Sequence, residues 1–176
     1  EVEEKVNSVI FIDPGRFYVL NAVTPIEAAE IPFFQTNPYI NLTGRRVYLA
    51  IIDTGIDYLN PEFQFEDGST KIFRIWDQTI QTGTPPDDLI IGSEYTEEQI
   101  NAALELYRQG GDPYSIVPTS DTNGHGTNMA GIMGAKGQNP LLTGAAPDAK
   151  FIIVKLRVSN TAAIITSEND FNIPLY

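Results

Sequence analysis

The feature that most constrains the fold is an apolar run that ends in a polar turn. Val47 to Ile52 is almost continuously apolar, and Asp53-Thr54-Gly55 follows directly. Such a run is typical of a strand buried on both faces, as in a parallel sheet. Phe151 to Leu156 has the same character, and Gly124 to Ala135 between them carries the small residues of a tightly packed helix. This order of strand, helix and strand predicts an α/β fold with a mainly parallel sheet flanked by helices.

Three further segments carry signals of regular structure. Lys71 to Asp77 is a third strand candidate, and Thr24 to Glu27 is predicted to open a short helix. The clearest helix is predicted over Thr96 to Gln109, where Thr96 and Gln99 have the spacing of a capping box. Its apolar stripe has the i, i+3, i+4, i+7 spacing of a face packed on a core and consists of Ile100, Ala103, Leu104 and Tyr107.

Composition excludes several classes of function. The 176 residues include 11 Lys and Arg against 23 Asp and Glu, a net charge of −12, which argues against binding to nucleic acids or anionic membranes. The absence of cysteine excludes a disulfide scaffold and a thiol nucleophile. No apolar run approaches the roughly 18 residues that a membrane span needs. The length suits one domain with a small appendage.

Asp53 is the first candidate for chemistry. A carboxylate at the end of a buried strand is sheltered and rigidly held, so it can accept a hydrogen bond from an imidazole and stabilise the imidazolium. The structural alternative is that Asp53 only caps the turn that follows the strand. On its own, the position of Asp53 favours neither interpretation.

His125 is the second candidate and the only histidine of the chain. It lies between Gly124 and Gly126, where a loop is predicted to enter a helix, and histidine is the natural general base near neutral pH. The alternative is a surface or capping histidine, which an isolated histidine would favour.

Taken together, the motifs favour the functional interpretation of Asp53 and His125 over the structural one. Asp53-Thr54-Gly55 after a strand, Gly124-His125-Gly126-Thr127 at a helix start and Gly144 to Ala149 before another strand form a specific series. The series resembles the subtilisin-like serine proteases, the subtilases. The resemblance implies that Asp53 and His125 are the Asp and His of a catalytic triad whose serine comes later in the chain. Aspartic proteases also carry Asp-Thr-Gly, but they would need a second such motif, which is absent here.

Four longer segments indicate one branch of this family. Ile51 to Phe63, Arg74 to Ile80, Glu94 to Asn101 and Asp112 to Tyr114 resemble the Csp-type germination proteases of clostridia. The resemblance implies a protein substrate, the proform of a spore cortex hydrolase, and a location in the bacterial spore or outside the cell. Some members of the branch have lost triad residues and act in signalling, so a pseudoprotease with a binding role is the alternative function.

The nucleophile is the missing part of the predicted triad. None of the seven serines lies in a glycine-flanked turn that opens a small-residue helix; they are Ser8, Ser69, Ser93, Ser115, Ser120, Ser159 and Ser167. The resemblance therefore implies that the chain is the N-terminal portion of a catalytic domain and inactive alone. Its expected partners are a protein substrate and its own propeptide or C-terminal half. A stand-alone binding domain is disfavoured, because half a parallel sheet would expose an apolar edge.

Domain boundaries and metal sites complete the predictions. Residues 1–23 are predicted to form a hairpin, as a propeptide tail or an N-terminal extension, and residues 24–176 to begin the catalytic domain. The resemblance to the Csp branch implies that residues from about 64 to 118 are an elaboration near the substrate cleft. No cofactor or metal site is assigned. Calcium is the one alternative, because several acidic residues could supply oxygen ligands and the resemblance to subtilases makes a calcium site conceivable. The residues are Asp53, Asp57, Glu62, Glu66 and Asp67. The absence of EF-hand spacing argues against such a site.

Overall fold

A computed structural model describes residues 25–157, so the hairpin predicted within residues 1–23 lies outside the described residues. In chain order, the helices and strands are α1 (Pro25–Ala28), α2 (Ile31–Thr36), β1 (Tyr48–Asp53), β2 (Ile72–Asp77), β3 (Ser93–Thr96), α3 (Glu97–Arg108), α4 (His125–Gly134) and β4 (Lys150–Lys155). Within this part of the chain, no helix combines the length and the apolar character that crossing a membrane requires.

The four strands form one sheet in the order β1-β4-β2-β3. β4 runs parallel to both β1 and β2, while β3 pairs with β2 in the antiparallel sense. The predicted α/β class with a mainly parallel sheet is therefore confirmed. The register places Asp53, Lys155 and Asp77 side by side at the carboxyl ends of the three parallel strands. Polar residues that are distant in the sequence thus meet at one edge of the sheet.

The main core lies against one face of the sheet. Ile51, Ile153 and Ile75 are paired across the three parallel strands and are all buried. Ile100 of α3 and Ala130 of α4 belong to the same buried cluster. The next position on β1, however, leaves Ile52 64% exposed. The prediction that this strand is buried on both faces is therefore wrong for the described structure, because the face of β1 that carries Tyr48, Ala50 and Ile52 is exposed and the core packs on the opposite face.

The capping box predicted for α3 is present. The Thr96 hydroxyl accepts a hydrogen bond from the Gln99 N–H at 3.4 Å, and the Gln99 side-chain oxygen accepts one from the Thr96 N–H at 2.8 Å. Three of the four predicted stripe residues are buried: Ile100, Ala103 and Leu104. Tyr107 is the exception because it lies in the last turn of the helix, where its side chain is 53% exposed.

Removal of this cap should measurably lower the stability of the folded chain. Thr96→Ala is expected to lower the free energy of unfolding by about 1 kcal/mol, because the Gln99 N–H loses its acceptor at the helix start. Urea unfolding followed by circular dichroism measures the change. Thr96→Ser keeps the hydroxyl and should unfold like the unmodified chain, so equal midpoints for the alanine and serine variants would contradict a role for the cap.

Candidate active site

The two predicted site residues lie at the carboxyl edge of the sheet. Asp53 is the last residue of β1, and His125 is the first residue of α4. Gly124, which precedes the helix, has a φ of 85°, a left-handed conformation that favours glycine. This turn directs the start of α4 towards the end of β1, and the two side chains meet although 72 positions separate them in the sequence.

The side chains of His125 and Asp53 are in close contact, which involves both carboxylate oxygens. His125 Nδ1 lies 2.8 Å from both carboxylate oxygens of Asp53. The Thr54 N–H donates a second hydrogen bond to Asp53 Oδ1 at 2.7 Å. The Asp53 side chain is 17% exposed, whereas that of His125 is 60% exposed. An ionised carboxylate can only accept hydrogen bonds, so the contact assigns the ring proton to Nδ1. The other ring nitrogen, Nε2, makes no hydrogen bond within residues 25–157 and is able to take up a proton.

The surroundings of Asp53 favour its charged form. Partial burial by itself would raise the pKa of Asp53, but hydrogen bonds from Thr54 and His125 outweigh it and lower the pKa below the usual value. Asp53 is consequently ionised at neutral pH. An ionised carboxylate in this position can hold the imidazole in one orientation and stabilise the positive charge that the ring acquires as a base.

A second carboxylate, that of Asp121, borders the pair and was not singled out by the sequence. Its Oδ1 accepts from the Thr54 hydroxyl at 2.9 Å and from the backbone N–H groups of Asn123 and Gly124 at 3.2 and 2.9 Å. Its Oδ2 accepts from the N–H and the hydroxyl of Thr127 at 2.9 and 2.6 Å. The one sequence signal was an Asp shortly before a helix start, which is common for capping residues.

The segment that precedes Asp121 forms hydrogen bonds with both members of a buried ion pair. Asp77 is fully buried at the end of β2, where it accepts from the Thr119 hydroxyl at 2.5 Å and lies 3.4 Å from Lys155 Nζ. Lys155 also donates to the carbonyl of Ser120 at 2.7 Å. Burial would raise the pKa of Asp77, but its hydrogen bonds and the Lys155 charge lower it. These contacts attach the loop that precedes His125 to the carboxyl edge of the sheet.

The sequence matches a known family over most of its length. The family model of the Subtilase family (peptidase S8) matches residues 44–171. The chain belongs to the subtilase family. The resemblance predicted from the Asp53 and His125 motifs is thus confirmed at the level of the family.

Individual relatives agree with this assignment. A solved structure of the Clostridium perfringens CspB protease aligns with a TM-score of 0.64 and 36% sequence identity over 77% of this chain and 26% of that one. The Major intracellular serine protease of Bacillus subtilis is 27% identical over 64% of this chain, and the Minor extracellular protease Epr of the same organism is 27% identical over 72%. The subtilase chain spans 24% and 13% of the lengths of these two relatives.

Acid should destabilise the subtilase chain through Asp121. Partial burial would raise the pKa of this group, but hydrogen bonds from Thr127, Gly124 and Thr54 lower it from 3.8 to about 2. The folded form therefore gains stability that is fully present above a pH of about 4 and is lost as the pH falls to about 2, because the unfolded chain binds its proton first. The contribution is about 2 kcal/mol.

Unfolding free energies between pH 7 and pH 2 test this linkage. Asp121→Asn should be less stable than the unmodified chain at neutral pH, and its stability should fall less steeply on acidification. If the free energies of unfolding of the variant and the unmodified chain fell in parallel down to the lowest pH, Asp121 would not contribute to the acid sensitivity.

Two of the acidic residues considered as calcium ligands lie near other partners in the chain. Glu62 is buried and accepts hydrogen bonds from the backbone N–H groups of Gly137, Gln138 and Asn139 at 2.7 to 3.1 Å. Glu66 lies 3.8 Å from a lysine, Lys136. In the described part of the chain, no group of three or more His, Cys, Asp or Glu side chains could hold a metal ion. Calcium binding to the subtilase chain stays an untested alternative.

None of the serines between residues 25 and 157 makes a hydrogen bond with His125. The Ser69 hydroxyl donates to Asp67, the Ser93 hydroxyl to the carbonyl of Ile80, and the Ser115 hydroxyl to the carbonyl of Asp112. The structure therefore brings together Asp53 and His125 without a serine among the described residues. The prediction of a nucleophile in later sequence stays open.

Proposed function

We propose that the complete protein is a serine endopeptidase in which Asp53 and His125 are two members of the catalytic triad. The observation that carries the proposal is the 2.8 Å contact of His125 Nδ1 with both oxygens of Asp53, in a chain of the subtilase family. The 60% exposure of the His125 side chain supports it further, because a general base has to be reached by the group it deprotonates.

In the proposed reaction, a serine hydroxyl attacks the carbonyl carbon of the scissile peptide bond. His125 Nε2 takes the hydroxyl proton as the new C–O bond forms, and then gives this proton to the leaving amine as the C–N bond breaks. Asp53 keeps its charge and stabilises the imidazolium between the two steps. Water repeats the sequence on the acyl-enzyme and regenerates the serine.

We further propose a protein substrate and a role in spore germination. The 36% identity to the Clostridium perfringens CspB protease supports this assignment, as do the segments that resemble the Csp branch, among them Ile51 to Phe63 and Arg74 to Ile80. The substrate of that branch, the proform of a spore cortex hydrolase, is the proposed substrate here. Location in the spore or outside the cell follows from the same proposal.

Cleavage assays with the complete protein test the function. We expect it to cleave a fluorogenic peptide and the purified proform of the cortex hydrolase, and we expect a serine-directed covalent inhibitor to abolish both reactions. The 176 residues alone serve as the control without a predicted nucleophile. Binding of the proform by a folded complete protein without any cleavage would overturn the enzyme assignment in favour of the pseudoprotease.

A further inference from the structure

We propose that Asp121 is a positioning residue, which sets the geometry of the Asp53–His125 pair by acting through Thr54. The inference rests on the proposed function for its effect on catalysis. Its structural part concerns only how the two side chains are held together. Neither the motifs nor the family resemblance assigned a role to Asp121.

The argument begins with the Thr54 hydroxyl, which joins two segments of the site. It donates to Asp121 Oδ1 at 2.9 Å and accepts from the Gly126 N–H at 3.0 Å. Thr54 directly follows Asp53, and Gly126 directly follows His125. One hydroxyl thus links the backbone beside each member of the pair, and the Asp121 carboxylate fixes the direction in which this hydroxyl points.

The same carboxylate also holds the helix start that carries His125. Its contacts with Gly124 and Thr127 fix the residues on either side of the histidine at distances of 2.6 to 2.9 Å. Asp121 therefore forms hydrogen bonds with residues next to both Asp53 and His125. Because Lys155 holds the preceding Ser120 carbonyl, the carboxylate itself is fixed to the sheet.

Two roles of Asp121 can be separated by substitution. If it only caps α4, the bonds to Gly124 and Thr127 suffice and the bond to Thr54 is dispensable. If it positions the pair, the Thr54 bond matters. Thr54→Val is nearly isosteric and removes both hydrogen bonds of the hydroxyl, the one to Asp121 and the one from Gly126, while the Thr54 N–H continues to donate to Asp53. Thr54→Ser restores the hydroxyl and is the matched control.

Nuclear magnetic resonance of the single imidazole gives a readout that does not depend on activity. In the 176-residue chain, His125 is the only histidine, so its two ring nitrogens can be observed without assignment ambiguity. We expect ¹⁵N shifts of a protonated Nδ1 and an unprotonated Nε2 in the unmodified chain and in Thr54→Ser. In Thr54→Val and Asp121→Asn, both shifts should move towards the values of a ring that exchanges freely between its tautomers.

Kinetics of the complete protein give the second readout. Thr54→Val and Asp121→Asn should lower kcat roughly tenfold to a hundredfold with KM little changed, because a small misplacement of the base affects the transition state more than substrate binding. Thr54→Ser should recover most of the loss. Thermal unfolding of each variant separates this effect from a loss of folded protein.

The outcomes distinguish this inference from the proposed function. Ring shifts and kcat that are unchanged in Thr54→Val would overturn it, whatever Asp121→Asn does, since Asp121 would then be only a helix cap. Should Asp121→Asn fail to fold, Thr54→Val still decides. Changed ring shifts in the variants of the 176-residue chain, together with a complete protein that cleaves nothing, would support the positioning role and refute the protease assignment.

Discussion

Replacing His125 with alanine in the complete protein is expected to abolish peptide cleavage. The loss in kcat should be on the order of 10⁶-fold, the size that removal of the triad histidine has in subtilisin. The physical reason is that no other group within residues 25–157 could take the proton at this point: the other member of the pair, Asp53, is a weak base whose pKa is lowered further by its hydrogen bonds. Initial rates of fluorogenic-peptide cleavage measure the loss.

A graded comparison strengthens this experiment. Asp53→Asn keeps the shape of the side chain but removes the charge and permits the wrong tautomer, so a loss of about 10⁴-fold is expected. The His125 side chain is 60% exposed, and its replacement should leave the fold intact, which circular dichroism can verify. Full cleavage activity in a folded His125→Ala protein would refute the assignment of His125 as the base.

The positions of Asp53 and His125 could be predicted because each follows from a local pattern. An apolar run predicts where β1 ends, and a glycine-flanked histidine before small residues predicts where α4 begins. The capped helix α3 was predictable for the same reason, since Thr96 and Gln99 are three residues apart. What the sequence could not supply was the distance between the two side chains, which depends on how α4 packs against β1.

The features that were missed depend on contacts between remote segments. The bond between Thr54 and Asp121 spans 67 positions, and the ion pair of Asp77 with Lys155 exists only because β2 and β4 are neighbours in the sheet. The exposure of Ile52 likewise depends on which segments pack over each face of the sheet. An apolar run indicates that a strand can be buried on both faces, but only the packed structure shows that, within residues 25–157, the face of β1 that carries Tyr48, Ala50 and Ile52 is exposed.

The close approach of α4 to the end of β1 leads to the prediction with the second-largest effect. A Cβ added at Gly126 would overlap the carbonyl oxygen of Gly55 and would lie 3.2 Å from the Cβ of Asp53. The overlap is with backbone, so no side-chain rotation relieves it and the helix has to move away. Gly126→Ala is therefore expected to lower the free energy of unfolding by about 3 kcal/mol and to separate His125 from Asp53.

Gly131→Ala is the matched control in the same helix. A Cβ at Gly131 meets no atom within 4 Å apart from its neighbours and the backbone of its own helix, and alanine is the better helix former, so this variant should gain about 1 kcal/mol in the free energy of unfolding. Opposite changes at two glycines five residues apart would show that Gly126 is required for packing against β1 rather than for flexibility. If Gly126→Ala were as stable as Gly131→Ala, the close packing of α4 on the Asp53 turn would be refuted, and with it the geometry on which the proposed pair depends.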